Sequence, residues 1–360
     1  MFLLTGSNMG GAEMVVRNLM FNLDSNLFDL SLVSIRPTGI IGQEIKRKYP
    51  VYSLEANQKF NPLFLYKLYK ILKQEKPDIL HCHLFHANLV GRIIGKIAKV
   101  PYIISTIHSD NIGSQFRYFL LKISDFLNDT TVVVSNKVKQ GLLERKIIAE
   151  RKIKVIYNGV EEPDLTITEN DVENKKRELK IENNYPIILS VGRLHSVKGH
   201  IYLIKAMKEV TKKYPKTKLV LIGDGAERQR LEDEVRILKI ENNVLFLGEI
   251  KAEDIYYRLA DMYIQPSLVE GFGITLVDAM KNNCFVIATN VGGIPEIIQD
   301  GVNGLLIESS SVDSLIFSIQ KVVSLSKNEK ENIINFKNKE DFLRKFYLYK
   351  MVESYQNNYK

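Results

Sequence analysis

The sequence predicts an α/β protein of two doubly wound, Rossmann-like domains, and three observations carry that prediction. Its 360 residues exceed one ordinary domain and suit two. Short apolar runs alternate with helical periods, which implies a parallel sheet with helices on both faces. The alternation occurs twice, on either side of a polar interval over 161–185, EEPDLTITENDVENKKRELKIENNY, that has no apolar run suited to a strand.

In the first half FLLT, DLSLVSI, VYSL, DILHCHL, YIISTIH, TTVVVS and KVIYNGV read as strands, with helices such as AEMVVRNLMFNL between them. The interval 165–185 reads as a linker with room for one charged helix. Beyond it, IILSVGR, KLVLIGDG, NVLFLG, MYIQPS, CFVIATN and GLLIE read as strands. The helices between them are expected to start near Gly199, Glu227, Lys251, Gly273 and Pro295. The predicted domains are therefore 1–164 and 186–335, followed by a helical, aromatic-rich tail over 336–360. Open parallel sheets bind ligands beyond the carboxyl ends of their strands. With two such domains in series, the cleft between them is the expected site.

At 45% hydrophobic and 26% charged, the composition is that of an ordinary globular chain. No apolar run approaches about eighteen residues, so no spanning helix is expected. The start, MFLLTGSN, has neither a basic region nor a cleavage site and does not read as a signal peptide. Cys82 and Cys284 stand 202 positions apart, so no disulfide framework is expected and a reducing cytoplasm fits. Residues 1–164 hold 22 Lys+Arg against 15 Asp+Glu, whereas 165–360 hold 28 against 27. The net charge of +8 thus sits almost entirely in the first half. Basic runs with interleaved stacking aromatics are not evident, so nucleic acid is not an expected partner. An anionic membrane surface or an anionic acceptor is one reading of the charge. A solvated basic surface is the other.

A dinucleotide turn is the first motif to test. After KLVLI come Gly223, Asp224, Gly225, Ala226, Glu227 and Arg228. Arg228 stands where a third glycine belongs, which disfavours a dehydrogenase. In GRLHSVKG, Arg193 follows a strand and Lys198 precedes a helix. A planar fork and a point charge together suit a diphosphate, although the spacing alone also fits two surface cations. In LVEGFGITLVDAM, Glu270 and Asp278 flank a turn, and Gly271 and Gly273 lie just before a helix. Backbone N–H groups and a helix N-terminus favour an anion there. Asp278, about one turn into the helix, also fits an acid favoured by the helix dipole. His108 ends the strand in STIHSD, where a packing role fits equally.

HCHLFH places His81, Cys82, His83 and His86 within six residues. Strand alternation puts His81 and His83 on one face and Cys82 on the other. A complete tetrahedral set from one strand is awkward, so no metal is expected. The stretches NPLFLYKLYKILKQEK (61–76) and SQFRYFLLKISDFL (114–127) combine aromatics with Lys67, Lys70, Lys73, Arg117 and Lys122. The second stretch brings Phe116, Tyr118 and Phe119. Basic amphipathic helices of this kind can lie on anionic lipid, and core packing accounts for each alone.

GGAE at 10–13, VGRLHSVKG at 191–199, LIGDG at 221–225, VEGFGITLVDAM at 269–280 and NVGGIPEII at 290–298 occur in order. In that order and spacing they resemble family 4 of the retaining glycosyltransferases, the glycosyl transferases group 1, over nearly the whole chain. The resemblance implies the GT-B fold, two Rossmann-like domains facing a central cleft, with a C-terminal helix that can cross back to the first. It implies a hexosyl- or N-acetylhexosaminyltransferase working from a nucleotide-sugar, a UDP-sugar first among them, with no metal cofactor. By resemblance Arg193 and Lys198 neutralise the diphosphate leaving group, Glu270 binds donor-sugar hydroxyls and His108 is positioned against the donor sugar. Gly10, Gly11, Gly223, Phe272, Gly273, Ile274, Thr275 and Asp278 are implied on the donor or nucleotide side, and Asn158 resembles the hinge. The family usually has Glu where this chain has Asp278, one methylene shorter. The family's His-x-His at the strand end of HCHLFH holds no metal. The implied acceptor is a carbohydrate or lipid-linked oligosaccharide of bacterial surface polysaccharide, lipopolysaccharide or capsule. The implied location is the cytoplasm, at the inner face of the plasma membrane where lipid is the acceptor. A non-catalytic sugar-nucleotide-binding protein on the same scaffold and a nucleotide-sugar epimerase are the alternatives.

Overall fold

The computed structural model describes residues 1–56, 62–251 and 253–360; Asn61, the first residue of the stretch 61–76, lies outside them. The chain divides into two compact units, Met1–Gly159 with Phe346–Lys360, and Val160–Lys345.

The first unit opens with β1 (Phe2–Leu4), α1 (Gly11–Asn22), β2 (Leu32–Ser34), α2 (Ile40–Lys46) and β3 (Val51–Ser53). It continues with α3 (Leu63–Glu75), β4 (Ile79–His83), α4 (Phe85–Ala98) and β5 (Tyr102–Ile107). Then come α5 (Gln115–Ile123), β6 (Thr130–Val133), α6 (Asn136–Glu144) and β7 (Ile153–Val155). The seven strands are parallel in the order β3-β2-β1-β4-β5-β6-β7. Leu3, Val33, Leu80 and Ile103 from the strands meet Phe64, Leu68 and Leu72 of α3 and Ile94 of α4 in one core. The spacing of Phe64, Leu68 and Leu72 is the helical period, so α3 buries one stripe and leaves Leu63 and Tyr66 outside.

The second unit holds α7 (Glu169–Glu178), β8 (Ile187–Val191), α8 (His200–Lys213), β9 (Lys218–Ile222) and α9 (Arg228–Leu238). It continues with β10 (Val244–Gly248), α10 (Asp254–Arg258), β11 (Met262–Gln265), α11 (Ile274–Lys281), β12 (Phe285–Thr289) and β13 (Leu305–Ile307). The helices α12 (Val312–Ser324), α13 (Lys327–Ile334) and α14 (Lys339–Arg344) complete it. Its six parallel strands run β10-β9-β8-β11-β12-β13. The two doubly wound sheets and all thirteen strands read from the sequence are present.

Several boundaries differ. The interval 165–185 is not a free connector: α7 starts in a capping box of Thr168 and Asp171 and buries Val172. Asp164 N–H donates to Asp254 Oδ2 at 2.8 Å, so the unit begins at Val160 and not at 186. No regular helix starts at Pro295; only a single 3₁₀ turn, Ile294–Glu296, forms there. The tail 336–360 is broken at Phe346 and Tyr347 into α14 and α15 (Leu348–Tyr359). α15 returns to the first unit, burying Met351, Val352 and Tyr355. Lys154 Nζ donates to Asn358 Oδ1 at 2.6 Å, and Gly159 N–H points at Met351 Sδ at 3.1 Å. Among the described residues no helix is long and apolar enough to cross a membrane.

Candidate active site

Strand order reverses between β8 and β11, so the loops leaving their carboxyl ends diverge and open a crevice in the second unit. The loop after β8 carries Arg193 and Lys198; the loop after β11 carries Glu270 and leads to Gly273, the N-cap of α11. Residues 72 positions apart thus meet: Lys198 Nζ lies 2.7 Å from Glu270 Oε2.

Glu270 is held from several sides. Its Oε2 also accepts from Gln265 Nε2 at 2.6 Å and from Ser267 Oγ at 3.4 Å, and its Oε1 accepts from Gly271 N–H at 3.2 Å. Gln265 is the last residue of β11, and its Oε1 accepts from Thr275 Oγ1 at 3.0 Å. Thr275 in turn accepts from the buried Tyr263 hydroxyl at 2.7 Å. One directional chain therefore runs from Tyr263 through Thr275 and Gln265 to Glu270. It fixes the carboxylate and commits the Thr275 side chain to Gln265, leaving the backbone of α11's first turn as what Ile274 and Thr275 offer an anion. Phe272 is buried beneath the turn, so its side chain packs.

Two glycines shape this site. A Cβ on Gly223, whose φ is +132°, would stand 2.1 Å from Gly192 O. Gly223 thus lets the end of β9 pass under the loop that carries Arg193. A Cβ on Gly292, at φ +54°, would stand 1.6 Å from Glu270 O, so the NVGG turn seats the Glu270 backbone. The Arg193 side chain is exposed and forms no ion pair among the described residues.

Asp278 lies on the fifth residue of α11. One carboxylate oxygen, Oδ1, is 3.3 Å from Lys281 Nζ. Burial pushes its pKa up to about 6, against the pull of Lys281. Sequence reasoning missed Lys281, Asp254 and Gln265. The signal for Gln265 was a polar residue ending an apolar strand before Pro266. Lys281 showed only its i,i+3 spacing from Asp278 on α11, because its other partners, Asp254 and Glu161, are distant in sequence.

His108, Gly10 and Gly11 belong to the first unit. Gly10 caps α1 in extended conformation, and a Cβ on Gly11 would meet open space. His108 follows β5, and its Nε2 lies 3.1 Å from His83 Nδ1. Burial lowers the His108 pKa to about 4, which keeps the imidazole neutral near pH 7. His81 and His83 share one face with ring centroids 4.1 Å apart, and burial holds both well below the usual histidine range. His81 bonds Tyr359 at 2.6 Å and Thr106 at 2.7 Å, which ties α15 to β4. Among the described residues no group of three His, Cys, Asp or Glu is arranged to hold a metal ion.

The aromatic stretches are sorted by burial. On α5 Phe116, Phe119 and Ile123 are exposed, whereas Tyr118 is buried with its hydroxyl donating to Asp110 O at 2.6 Å. Tyr118 therefore belongs to the packing and not to an outer face.

The family profile described as Glycosyltransferase Family 4 matches residues 9–162, and that described as Glycosyl transferases group 1 matches 171–340. An uncharacterized glycosyltransferase of Methanocaldococcus jannaschii is 32% identical over 267 residues, 71% of this chain and 68% of its own. The Escherichia coli UDP-Gal:alpha-D-GlcNAc-diphosphoundecaprenol alpha-1,3-galactosyltransferase is 26% identical over 287 residues, 75% of this chain and 74% of its own. The crystal structure of Anabaena HepE in complex with UDP and glucose superposes with a TM-score of 0.86 at 21% identity, covering 99% of this chain and 98% of that one.

Proposed function

The chain belongs to glycosyltransferase family 4, and we propose that it moves a sugar, with retention of configuration, from a UDP-sugar to a hydroxyl of a lipid-linked oligosaccharide. The observation that carries this reading is the meeting of Lys198, Glu270 and the start of α11 at the strand-order reversal, with Arg193 exposed on the loop that carries Lys198. The Lys198–Glu270 pair joins a cation and an acid that a donor engages separately. A donor entering there exchanges it for Lys198 on a phosphate oxygen and Glu270 on sugar hydroxyls, both charge-assisted bonds.

The reaction breaks the bond from the sugar's anomeric carbon to the diphosphate and forms one to the acceptor oxygen on the same face. The acceptor proton passes to a departing phosphate oxygen. Glu270 is held by four donors, so it suits binding and orientation rather than attack. Arg193 and Lys198 supply the positive charge that the leaving diphosphate needs, which is the ground for proposing transfer without a metal. His108, neutral in its buried setting, suits a hydrogen bond to the sugar rather than proton donation.

The acceptor class rests on the name of the Escherichia coli relative, which includes a diphosphoundecaprenol, and on the basic first half. A panel of UDP-, GDP- and ADP-sugars tests the donor, because a ligand bound to the native state raises its melting temperature. UDP-sugars should give the largest shift, and EDTA should leave transfer intact. A GDP- or ADP-sugar giving the largest shift, or activity lost to EDTA and restored by Mg²⁺ or Mn²⁺, refutes the corresponding part.

A lipid-linked acceptor calls for contact with anionic membrane. The exposed Leu63 and Tyr66 of α3, beside Lys67 and Lys70, and Phe116 and Phe119 of α5, beside Lys122, are the faces proposed for it. Binding to anionic vesicles should weaken as salt screens the attraction. No co-sedimentation at low salt with anionic lipid in excess would rule this contact out.

A further inference from the structure

We propose that Lys281 is a positioning residue that aims and charges the Asp278 carboxylate for the nucleotide ribose, a role that rests on the donor reading above. Lys281 ends α11, and its side chain is 4% exposed. Its ammonium donates to Glu161 O at 2.9 Å and lies 3.0 Å from Asp254 Oδ1 and 3.3 Å from Asp278 Oδ1. The ammonium thus combines one hydrogen bond to a carbonyl with ion pairs to two carboxylates. Lys281 is thereby fixed by three elements: the segment after β7, the first turn of α10, and α11 itself.

Asp278 is bound at Oδ1, while Oδ2 carries no protein partner among the described residues and its side chain is 21% exposed. The arrangement leaves Oδ2 for the ribose hydroxyls. An aspartate is one methylene shorter than a glutamate, so its reach is set by how it is anchored, and Lys281 is that anchor. The ionisable groups around Asp278 are Lys281, Asp254 and Glu161, together with the buried Tyr257 and Tyr263. Burial raises the Asp278 pKa to about 6, Lys281 opposes the rise, and Asp254 and Glu161 add to it. Removing Lys281 leaves two carboxylates facing each other, and Asp278 then takes up a proton more readily.

The test is UDP-glucose affinity of the full chain by calorimetry between about pH 5 and 8, a range in which the esterified diphosphate does not titrate. A carboxylate accepts ribose hydroxyls better ionised than protonated, so affinity of the wild type should rise with pH through about 6. In Lys281→Met the midpoint should move up by roughly one pH unit or more, so that affinity weakened near pH 6.5 recovers near pH 8. Lys281→Arg should keep the wild-type midpoint. Asp254→Asn removes a like charge and leaves Lys281 to Asp278, so its midpoint should move down. If Lys281→Met fails to fold, Lys281→Gln, which keeps a donor without the charge, decides the matter: an upward midpoint supports the role and an unmoved one overturns it. Midpoints equal to the wild type in the variants that fold, with affinity lowered evenly at every pH, would make Lys281 a purely structural contact and overturn the proposal. A wild type that binds no UDP-glucose at any pH overturns the donor reading and this role with it, whereas unmoved midpoints in a binding wild type overturn only the role of Lys281.

Discussion

Replacing Lys198 by alanine should lower turnover at saturating donor by about 30- to 900-fold, the equivalent of about 2–4 kcal/mol of transition-state stabilisation. The leaving diphosphate gains charge as the sugar bond breaks, and a cation placed there beforehand stabilises it without reorganising. Lys198 sits on a loop that Gly223 allows to pack against the end of β9, and its ammonium exchanges Glu270, 2.7 Å away, for a phosphate oxygen as the donor binds, before the sugar bond breaks. Arg193→Ala should lose a similar amount. Arg193→Lys should recover only part, since a point charge does not reproduce a planar fork on two phosphate oxygens. Single-turnover and steady-state rates check this. Turnover within threefold of the wild type in both alanine variants would remove the diphosphate from these two residues.

Glu270→Gln should lower turnover strongly while UDP alone still binds. The carboxylate accepts from Lys198, Gln265, Ser267 and Gly271 N–H, so every donor around it points inward. A carboxamide must turn its NH₂ either toward Gly271 N–H or toward Lys198, Gln265 and Ser267, so at least one of these contacts is lost along with the charge that holds the sugar hydroxyls. A charge-assisted bond to a neutral hydroxyl contributes about 1.5–3 kcal/mol, and more than one is lost. Asp278→Ala should instead weaken nucleotide binding modestly and leave saturated turnover nearly unchanged. Asp278→Glu should be tolerated. Calorimetry with UDP beside saturated turnover for the three variants separates the roles. Loss of turnover in Asp278→Ala with normal nucleotide binding would place Asp278 in the chemistry and reverse this division.

Glu270 was visible in the sequence because the turn GFG and the start of α11 surround it within a few residues. Gln265 was visible only as an oddity, a polar side chain closing the apolar strand MYIQ. Its partners Glu270 and Thr275 lie five and ten positions away and meet only because the chain turns back at Gly271–Gly273. The tail shows the same limit. Its aromatic helical period was plain, but the break at Phe346–Tyr347 follows from α14 packing in one unit and α15 in the other.

By itself the sequence determined the two parallel sheets, their strands and the family, because alternating apolar runs and turn glycines are local signals that each segment carries alone. It also marked Arg193, Lys198, Glu270 and Asp278, whose motifs are contiguous. Only the tertiary structure decided which partners those side chains meet. Lys198 is set against Glu270 across 72 residues, and Lys281 gathers Asp254, Asp278 and the carbonyl of Glu161 from as far as 120 residues away. A buried ammonium must find its acceptors wherever the fold brings them, so beyond its helix neighbour Asp278 the choice depends on the reversal of strand order and on helix packing.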